Sequence, residues 1–301
     1  MDKLYYILIV IIVLVIIIMM VHFFLQKNKS NQIIIEKFDF NNYYLPKIIW
    51  VYWNDNNIPT CIQNILKNNT SIIKEWKINF FTDETLSEYI PNKDLPSFEN
   101  ISIKQKSDWI RLYLLEKYGG CWLDAGIIIN NEIAMDKLRD KSISKKSLFT
   151  GFYLDKSIIG NDLYSYVEAW FIMAPKNSSI IKTWRKEFEK AIYMSFFKYK
   201  KMIKKNKKLN LKNIYSDKYD VYLAVYACFY NISQYFDSEM KKHIILYKAE
   251  DTMYKIHKEC NWDHKCIQNR LDTDKTVKTI PYIKLNGGNR ENFNLNNYSK
   301  L

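Results

Sequence analysis

The sequence predicts an α/β domain of parallel βαβ units, and three observations predict it. Ile48 to Trp53, IIWVYW, is a run of β-branched and aromatic residues of the kind that fills a buried strand. Lys77 to Phe81 is a second such run, and a segment with helical spacing from Cys61 to Leu66 lies between them. A third strand opens at Cys121, directly after a helical stretch that ends in Gly119-Gly120. Strand, helix, strand, helix at this spacing is the pattern of parallel pairing with crossover helices. Neither GxGxxG nor GxxxxGK[ST] occurs, which argues against dehydrogenases and P-loop enzymes.

The chain has 301 residues, enough for one large domain or two small ones, and 48% of them are hydrophobic, so core material is ample. Leu4 to Leu25 opens with eighteen consecutive apolar or aromatic residues, up to Val21. About 20 such residues span the hydrocarbon core of a bilayer at 1.5 Å per residue. No small-residue cleavage site follows, which favours a single-pass transmembrane signal anchor over a cleaved leader. Lys3 on one side and Lys27 and Lys29 on the other leave two orientations open, a cytoplasmic domain or a type II lumenal one. Gln26 to Tyr44 is polar apart from Ile33-Ile34-Ile35 and reads as a stem. The expected organisation is therefore an anchor over 1–25, a stem over 26–45 and one domain over 46–301, where no repeat or long linker intervenes.

Beyond the second strand, Thr82 to Ile90 reads as a turn and a helix. Leu148 to Tyr153 and Tyr166 to Ala174 read as strands, and Ser178 to Tyr193 has helical periodicity. Lys198 to Lys212 carries eight lysines among aromatics, either a solvated face or a contact with an anionic membrane. Asp217 to Tyr230 reads as an aromatic-rich helix. The formal charge of +13 invites a nucleic-acid partner. The basic residues are part of a general excess of Lys, Asn and Ile, however, and no nucleic-acid partner is expected. Cys61, Cys121 and Cys228 sit in apolar surroundings and read as buried small hydrophobes. His257, Cys260, His264 and Cys266 crowd together, but their spacing fits no established zinc finger. A Cys260–Cys266 disulfide and plain surface residues are the alternatives.

The chemistry centres on Lys106 to Asn130, KSDWIRLYLLEKYGGCWLDAGIIIN. Ser107 reads as the helix cap, with Asp108 in the first turn. Asp108 and Arg111 are three residues apart and so share one side of the helix. Asp124 ends the following strand, and open α/β sheets bind ligands beyond the carboxyl ends of their strands. Two acids and a planar, permanently charged guanidinium are thus expected in one cleft, an arrangement suited to oxygen-rich ligands.

The ordered match of Ser107, Asp108, Arg111, Leu114, Gly119, Gly120, Trp122, Asp124 and Ala125 resembles the capsular polysaccharide synthesis family of glycosyltransferases. It is also similar to the wider group with a DxD sugar-binding segment, including initiation-type mannosyltransferases and glucosylating toxins. The resemblance implies a GT-A-like, Rossmann-type nucleotide-diphospho-sugar transferase domain behind the anchor. It implies a nucleotide-sugar donor, a glycan, lipid or protein acceptor, a hexose as the transferred group, and retention at the anomeric carbon. Asp124 and Asp108 would be catalytic. Arg111, Asp108 and Asp124 would bind donor hydroxyls or phosphate, and an aromatic of the first strand would meet the base.

Trp50 and Trp53 alternate faces on that strand; Trp50 is the preferred base platform, and burial of both is the alternative. Glu168 is an acceptor-side candidate or a structural carboxylate, and Asp217 or Asp220 is a further candidate acid. Pro281 to Gly288, PYIKLNGG, resembles a closing segment that folds over the donor, with Gly287-Gly288 as a hinge. The resemblance also implies Mn²⁺ or Mg²⁺ at Asp124, but Gly126 stands where DxD relatives carry the metal-binding second acid. That gap motivates the alternative of a membrane-tethered, inactive sugar- or nucleotide-binding scaffold of the same fold.

Overall fold

The computed structural model describes residues 13–20, 33–97, 101–158, 160–206, 209–211 and 223–301. The chain divides into a unit of residues 1–34 and a unit of residues 35–301. In the first unit, residues 13–20 are helical and exposed. The rest of the anchor expected over Leu4–Leu25 lies outside the described residues, and among the described residues no helix is long and apolar enough to cross a membrane. Asp217 and Asp220 also lie outside them.

The second unit begins earlier than the expected boundary at residue 46. The Tyr43 hydroxyl donates to the carbonyls of Ser142 and Ser147 at 3.1 and 3.0 Å, and Leu45 is buried. Glu36 pairs with Lys182 and Lys186. The second half of the stem, from Ile35 on, is therefore part of the folded domain.

Strand β1 (Ile48–Tyr52), helix α1 (Thr60–Ile72) and strand β2 (Lys77–Phe81) form the first parallel unit. Helix α2 (Ile103–Tyr118) then crosses to β3 (Gly120–Leu123), which pairs parallel with the other edge of β1. There follow β4 (Ile127–Ile129), α3 (Glu132–Ser144), β5 (Phe149–Tyr153), β6 (Val167–Ala174), α4 (Ser179–Tyr193), α5 (Phe196–Ile203) and α6 (Ala224–Ser233). The last part holds α7 (Ser238–Lys242), β7 (Ile244–Lys248), α8 (Lys255–Glu259), α9 (His264–Thr273), β8 (Tyr282–Lys284), α10 (Gly287–Glu291) and α11 (Leu295–Lys300).

Among the described residues the central sheet has six strands in the order β2-β1-β3-β6-β5-β7. It is mixed: β6 runs antiparallel to both β3 and β5, and β7 lies parallel to β5. Side chains alternate across each strand. Ile49, Val51, Cys121, Leu123, Phe171 and Met173 share one apolar cluster with Ile62 and Ile65 of α1. The intervening Trp50, Trp122 and Ile172 face the other side, where α2 packs on α4 and α4 on α6.

Two local features differ from the sequence expectation. Helix α2 starts four residues before Ser107. Its cap is Ser102, whose hydroxyl accepts from the Gln105 N–H while the Gln105 side chain accepts from the Ser102 N–H. Asp108 is thus in the second turn, and both faces of the helix are buried, Leu112 included. Thr82 to Ile90 contains one short 3-10 turn, Leu86–Glu88, rather than an α-helix. The glycine pair does turn the chain: Gly119 and Gly120 have φ of 71° and 102°, and a Cβ on Gly120 would lie 2.5 Å from the Ile48 carbonyl.

Strands β4 and β8 form a separate two-stranded antiparallel ribbon pairing Ile127 with Lys284, Ile128 with Ile283 and Ile129 with Tyr282. Asn69 of α1 clips this ribbon to the domain. Its amide donates to the Ile127 carbonyl and its Oδ1 accepts from the Ile129 N–H, both at 2.8 Å. Asn69→Ala leaves those buried groups without partners and is expected to cost about 1–3 kcal/mol. Urea unfolding with an unchanged denaturant slope checks this.

Candidate active site

The strand order places β1 between β2 and β3, so the chain leaves β1 in one direction and returns on its other side. Such a switch point opens a crevice at the carboxyl ends of the strands. A cavity of about 740 Å³ lies there, within the range of roughly 300–1,000 Å³ usual for small-molecule sites. Tyr52, Trp53 and Asn54 enter it from the end of β1, and Asp124, Ala125 and Gly126 from the end of β3. Lys104, Ser107 and Arg111 come from α2, Glu168 and Trp170 from β6, and Lys284 to Gly287 with Arg290 from the last segment.

Arg111 is the inner anchor of this wall. One Nη donates to the Ala169 carbonyl at 2.7 Å and lies 3.0 Å from Asp108 Oδ1, while the other reaches Asp124 Oδ1 at 3.3 Å. The guanidinium also lies over the Trp122 ring at 5.1 Å. Asp124 therefore has two cations on it, because Lys284 Nζ meets its other oxygen at 3.4 Å. Trp122 Nε1 donates to the same carboxylate at 3.1 Å. Burial pushes the Asp124 pKa up, but Lys284, Arg111, the Trp122 N–H and Lys104 outweigh it and hold the group below its ordinary value. Its side chain keeps 30% exposure, so a ligand can reach it.

Two further groups titrate near neutrality. Burial raises Glu168 to about 7, against the pull of the Tyr226 hydroxyl at 3.1 Å and of Lys284 and Lys104. Burial lowers Lys104 to about 7, against the pull of Asp108. The aromatic wall on this side holds Tyr166, Trp170, Tyr226, Tyr254 and Trp262. Trp262 and the preceding Asn261 both have positive φ, and the Cys260–Cys266 disulfide closes the loop that carries them. That disulfide settles the alternatives for the cysteine and histidine cluster. His257 is fully buried against Tyr254 and Trp262, and burial lowers its pKa to about 4.

The expected residues divide. Arg111 and Asp124 meet at the cavity, as the helix and strand spacing requires. Asp108 is 1% exposed, stands behind Arg111 and does not line the cavity, so it positions the guanidinium rather than touching a ligand. Trp50 is corrected: it is 3% exposed, its indole donates to the Gly119 carbonyl, and it packs on Tyr89 and Tyr118 in the core. Trp53 lines the cavity instead, because the cavity meets β1 only at its carboxyl end, at Tyr52, Trp53 and Asn54. Sequence reasoning passed over Lys104, although it shares the 104-107-108-111 stripe of α2, and Lys284 and Arg290, although the first lies in the PYIKLNGG segment.

The residues do not fit a divalent cation at Asp124. Mg²⁺ and Mn²⁺ need several hard oxygen donors. Both Asp124 oxygens already face cations. A Cβ on Gly126 would lie 3.3 Å from Arg290 Cδ and from the Leu285 carbonyl, and 3.7 Å from Lys284 Nζ. Like unit charges 4 Å apart near a protein surface repel by about 4 kcal/mol, and a divalent ion doubles that. Among the described residues no group of three His, Cys, Asp or Glu side chains could hold a metal ion.

Residues 18–273 match the family model of the capsular polysaccharide synthesis protein. The chain is 26% identical to the O-glycosyltransferase PaGT of Phomopsis amygdali over 155 residues, which cover 46% of this chain and 34% of that one. It thus spans about a third of the curated relative's length. A glycosyltransferase involved in glycosylation of the major capsid of PBCV-1 aligns with 83% of this chain and all of its own, at TM-score 0.42 and 11% identity. The glycosyltransferase GlyE of Streptococcus pneumoniae TIGR4 aligns with 81% of this chain and 55% of its own, at TM-score 0.40 and 9% identity.

The two tryptophans of β1 separate fold from ligand contact. Trp50→Ala is expected to destabilise the domain by about 3–5 kcal/mol, the usual cost of emptying a buried aromatic site. Trp53→Ala, at a partly buried ring packed against the core, is expected to cost less stability than Trp50→Ala and to weaken binding of any base stacked on that ring by about 1–3 kcal/mol. Chemical denaturation and calorimetry with UDP and GDP read the two effects.

Proposed function

The chain belongs to the capsular polysaccharide synthesis protein family, and from that premise we propose that it is a glycosyltransferase. It moves a hexose from a nucleotide sugar to a glycan, lipid or protein acceptor. The observation that carries this reading is the convergence of Asp124 and the cations Arg111, Lys284, Arg290 and Lys104 in one aromatic-walled cavity at the switch point. Glycosyl transfer develops negative charge on the departing diphosphate and positive charge at the anomeric carbon. Preorganised charges of both signs are what such a transition state needs.

In this reading Trp53 and Asn54 take the nucleoside, and Lys284 and Arg290 take the diphosphate. Asp124, held by Arg111 and Trp122, accepts hydrogen bonds from the donor sugar's hydroxyls. Glu168 lies on the side of Tyr226 and Trp262, where the acceptor enters. Its carboxylate faces the developing positive charge and orients the acceptor hydroxyl. The bond from the anomeric carbon to the phosphate oxygen breaks, and the bond to the acceptor oxygen forms. With retention, which we include in the proposal, the acceptor proton passes to the departing phosphate. The N-terminal apolar segment Leu4–Leu25 is proposed as the anchor that keeps this reaction at a membrane, on a side the proposal leaves open.

A panel of nucleotide sugars, offered to the full-length protein with product detection and anomer assignment by NMR, tests the assignment. Asp124→Asn is expected to lower turnover roughly 10²–10³-fold, the usual loss of one preorganised polar contact. Binding of a nucleotide sugar with no turnover of any donor would favour the inactive scaffold instead.

Glu168 acts as a carboxylate and has its pKa raised to about 7, so activity falls as the pH drops below that value. Lys104 acts as an ammonium and has its pKa lowered to about 7, so activity falls as the pH rises above it. Wild-type kcat/KM is expected to peak near neutrality. Glu168→Gln removes the acid limb and lowers the rate by roughly 10²–10³-fold, the usual loss of one preorganised polar contact. Lys104→Met removes the alkaline limb.

A further inference from the structure

We propose that this site binds its donor's diphosphate without a divalent cation, with Lys284 and Arg290 occupying the place of the ion. The inference rests on the reading of the cavity as a nucleotide-sugar site. Its starting point is the space around Gly126. In a DxD segment the residue at this position supplies a metal-binding acid. Here the first side-chain atom of any such acid would meet Arg290 Cδ at 3.3 Å and stand 3.7 Å from Lys284 Nζ. The position is filled by cations from a segment about 160 residues further along the chain.

Those cations are built in. Lys284 is held opposite Ile127 by the β4–β8 register, and the Leu285 N–H donates to the Gly126 carbonyl at 2.8 Å. The Lys284 ammonium is thereby fixed beside Asp124. Arg290 lies over the Trp53 ring at 5.3 Å, and its backbone N–H donates to the Asn286 carbonyl at 2.8 Å. Among the described residues its guanidinium has no carboxylate partner within ion-pair distance, so its planar fork is available to a phosphate. Five cationic side chains line the cavity against two carboxylates, a surplus that suits a doubly charged diphosphate.

The electrostatics also oppose the alternative. A divalent ion on Asp124 would have to displace Lys284 and lie close to the Arg290 stem. Asp124 is then left to do what a carboxylate beside a sugar does well, which is to accept hydrogen bonds from hydroxyls. Lys284 serves twice, as the partner that keeps Asp124 ionised and as a phosphate ligand.

Calorimetric titration of the full-length protein with UDP, GDP, ADP and dTDP, in EDTA and again in Mn²⁺, tests this. One nucleotide is expected to bind with affinities that agree within about twofold in the two buffers. Arg290→Met and Lys284→Met are each expected to weaken that binding about tenfold or more in EDTA, with Lys284→Arg recovering most of the loss. Circular dichroism melts on the same samples confirm that each variant is folded, and Arg290→Met carries the test if Lys284→Met is not. Binding that disappears in EDTA and returns with Mn²⁺ overturns the inference and leaves the transferase reading intact. Equal binding by wild type and both folded Met variants also overturns it. Failure of all four nucleotides in both buffers overturns the transferase reading itself.

Discussion

The guanidinium of Arg111 holds this site together. It joins α2 to the Ala169 carbonyl on β6, to Asp108 on its own helix, and to Asp124 at the end of β3. A buried ion pair is costly to desolvate and contributes little net stability unless its remaining hydrogen bonds are met. Arg111 meets that condition only in part, through a backbone carbonyl and the face of Trp122, since among the described residues its Nε and Asp108 Oδ1 make no hydrogen bond. The arrangement is therefore better understood as a device for position than as a source of stability. It fixes the Asp124 carboxylate at the rim of the cavity while the rest of the triad stays dry.

The other half of the cleft depends on chain topology. The β4–β8 ribbon joins the segment just after Asp124 to one near the C-terminus. Register in such a ribbon is exacting, because a slip by one residue turns every side chain to the other face. In the observed register Ile283 and Tyr282 are buried and Lys284 faces Asp124. Asn69 and Asn68 of α1 cap the same ribbon with buried amide hydrogen bonds. The polar clip and the apolar packing thus select the register that delivers a cation to the site.

Much of this was legible in the residues, and the gaps have physical causes. The parallel front half was readable because runs of β-branched and aromatic residues and period-3.6 patterns are local. The reversed direction of β6 was not, since a strand buried on both faces reads alike in either direction. The start of α2 was misplaced because Ser107-Asp108 imitates a cap, whereas Ser102 and Gln105 form the reciprocal pair. Alternation placed Trp50 and Trp53 on opposite faces of β1 but gave no means to tell how far along the strand the cleft reaches; it meets only Tyr52, Trp53 and Asn54, while Trp50 is held in the core by the Gly119 carbonyl. Lys284 escaped notice because its partner is 160 residues away and no local pattern records such a pairing.

A missing acid at position 126 invites the view that the site has decayed. The burial around it argues otherwise. Glu168 is 4% exposed and shifted by burial to about 7, and Lys104 is shifted down to the same value. Burying an ionisable group lowers stability, and a scaffold with no chemistry to perform gains nothing from keeping Glu168 buried beside the cavity. A metal site merely short of one acid would show open space at that position. The space at Gly126 is instead bordered by the Arg290 stem, which lies over Trp53, and by Lys284, which pairs with Asp124. Charge of the sign a metal would supply is thus present at the spot where a metal would act. In the proposed cation-free site, Lys284 and Arg290 supply that charge and a glycine at position 126 leaves room for them.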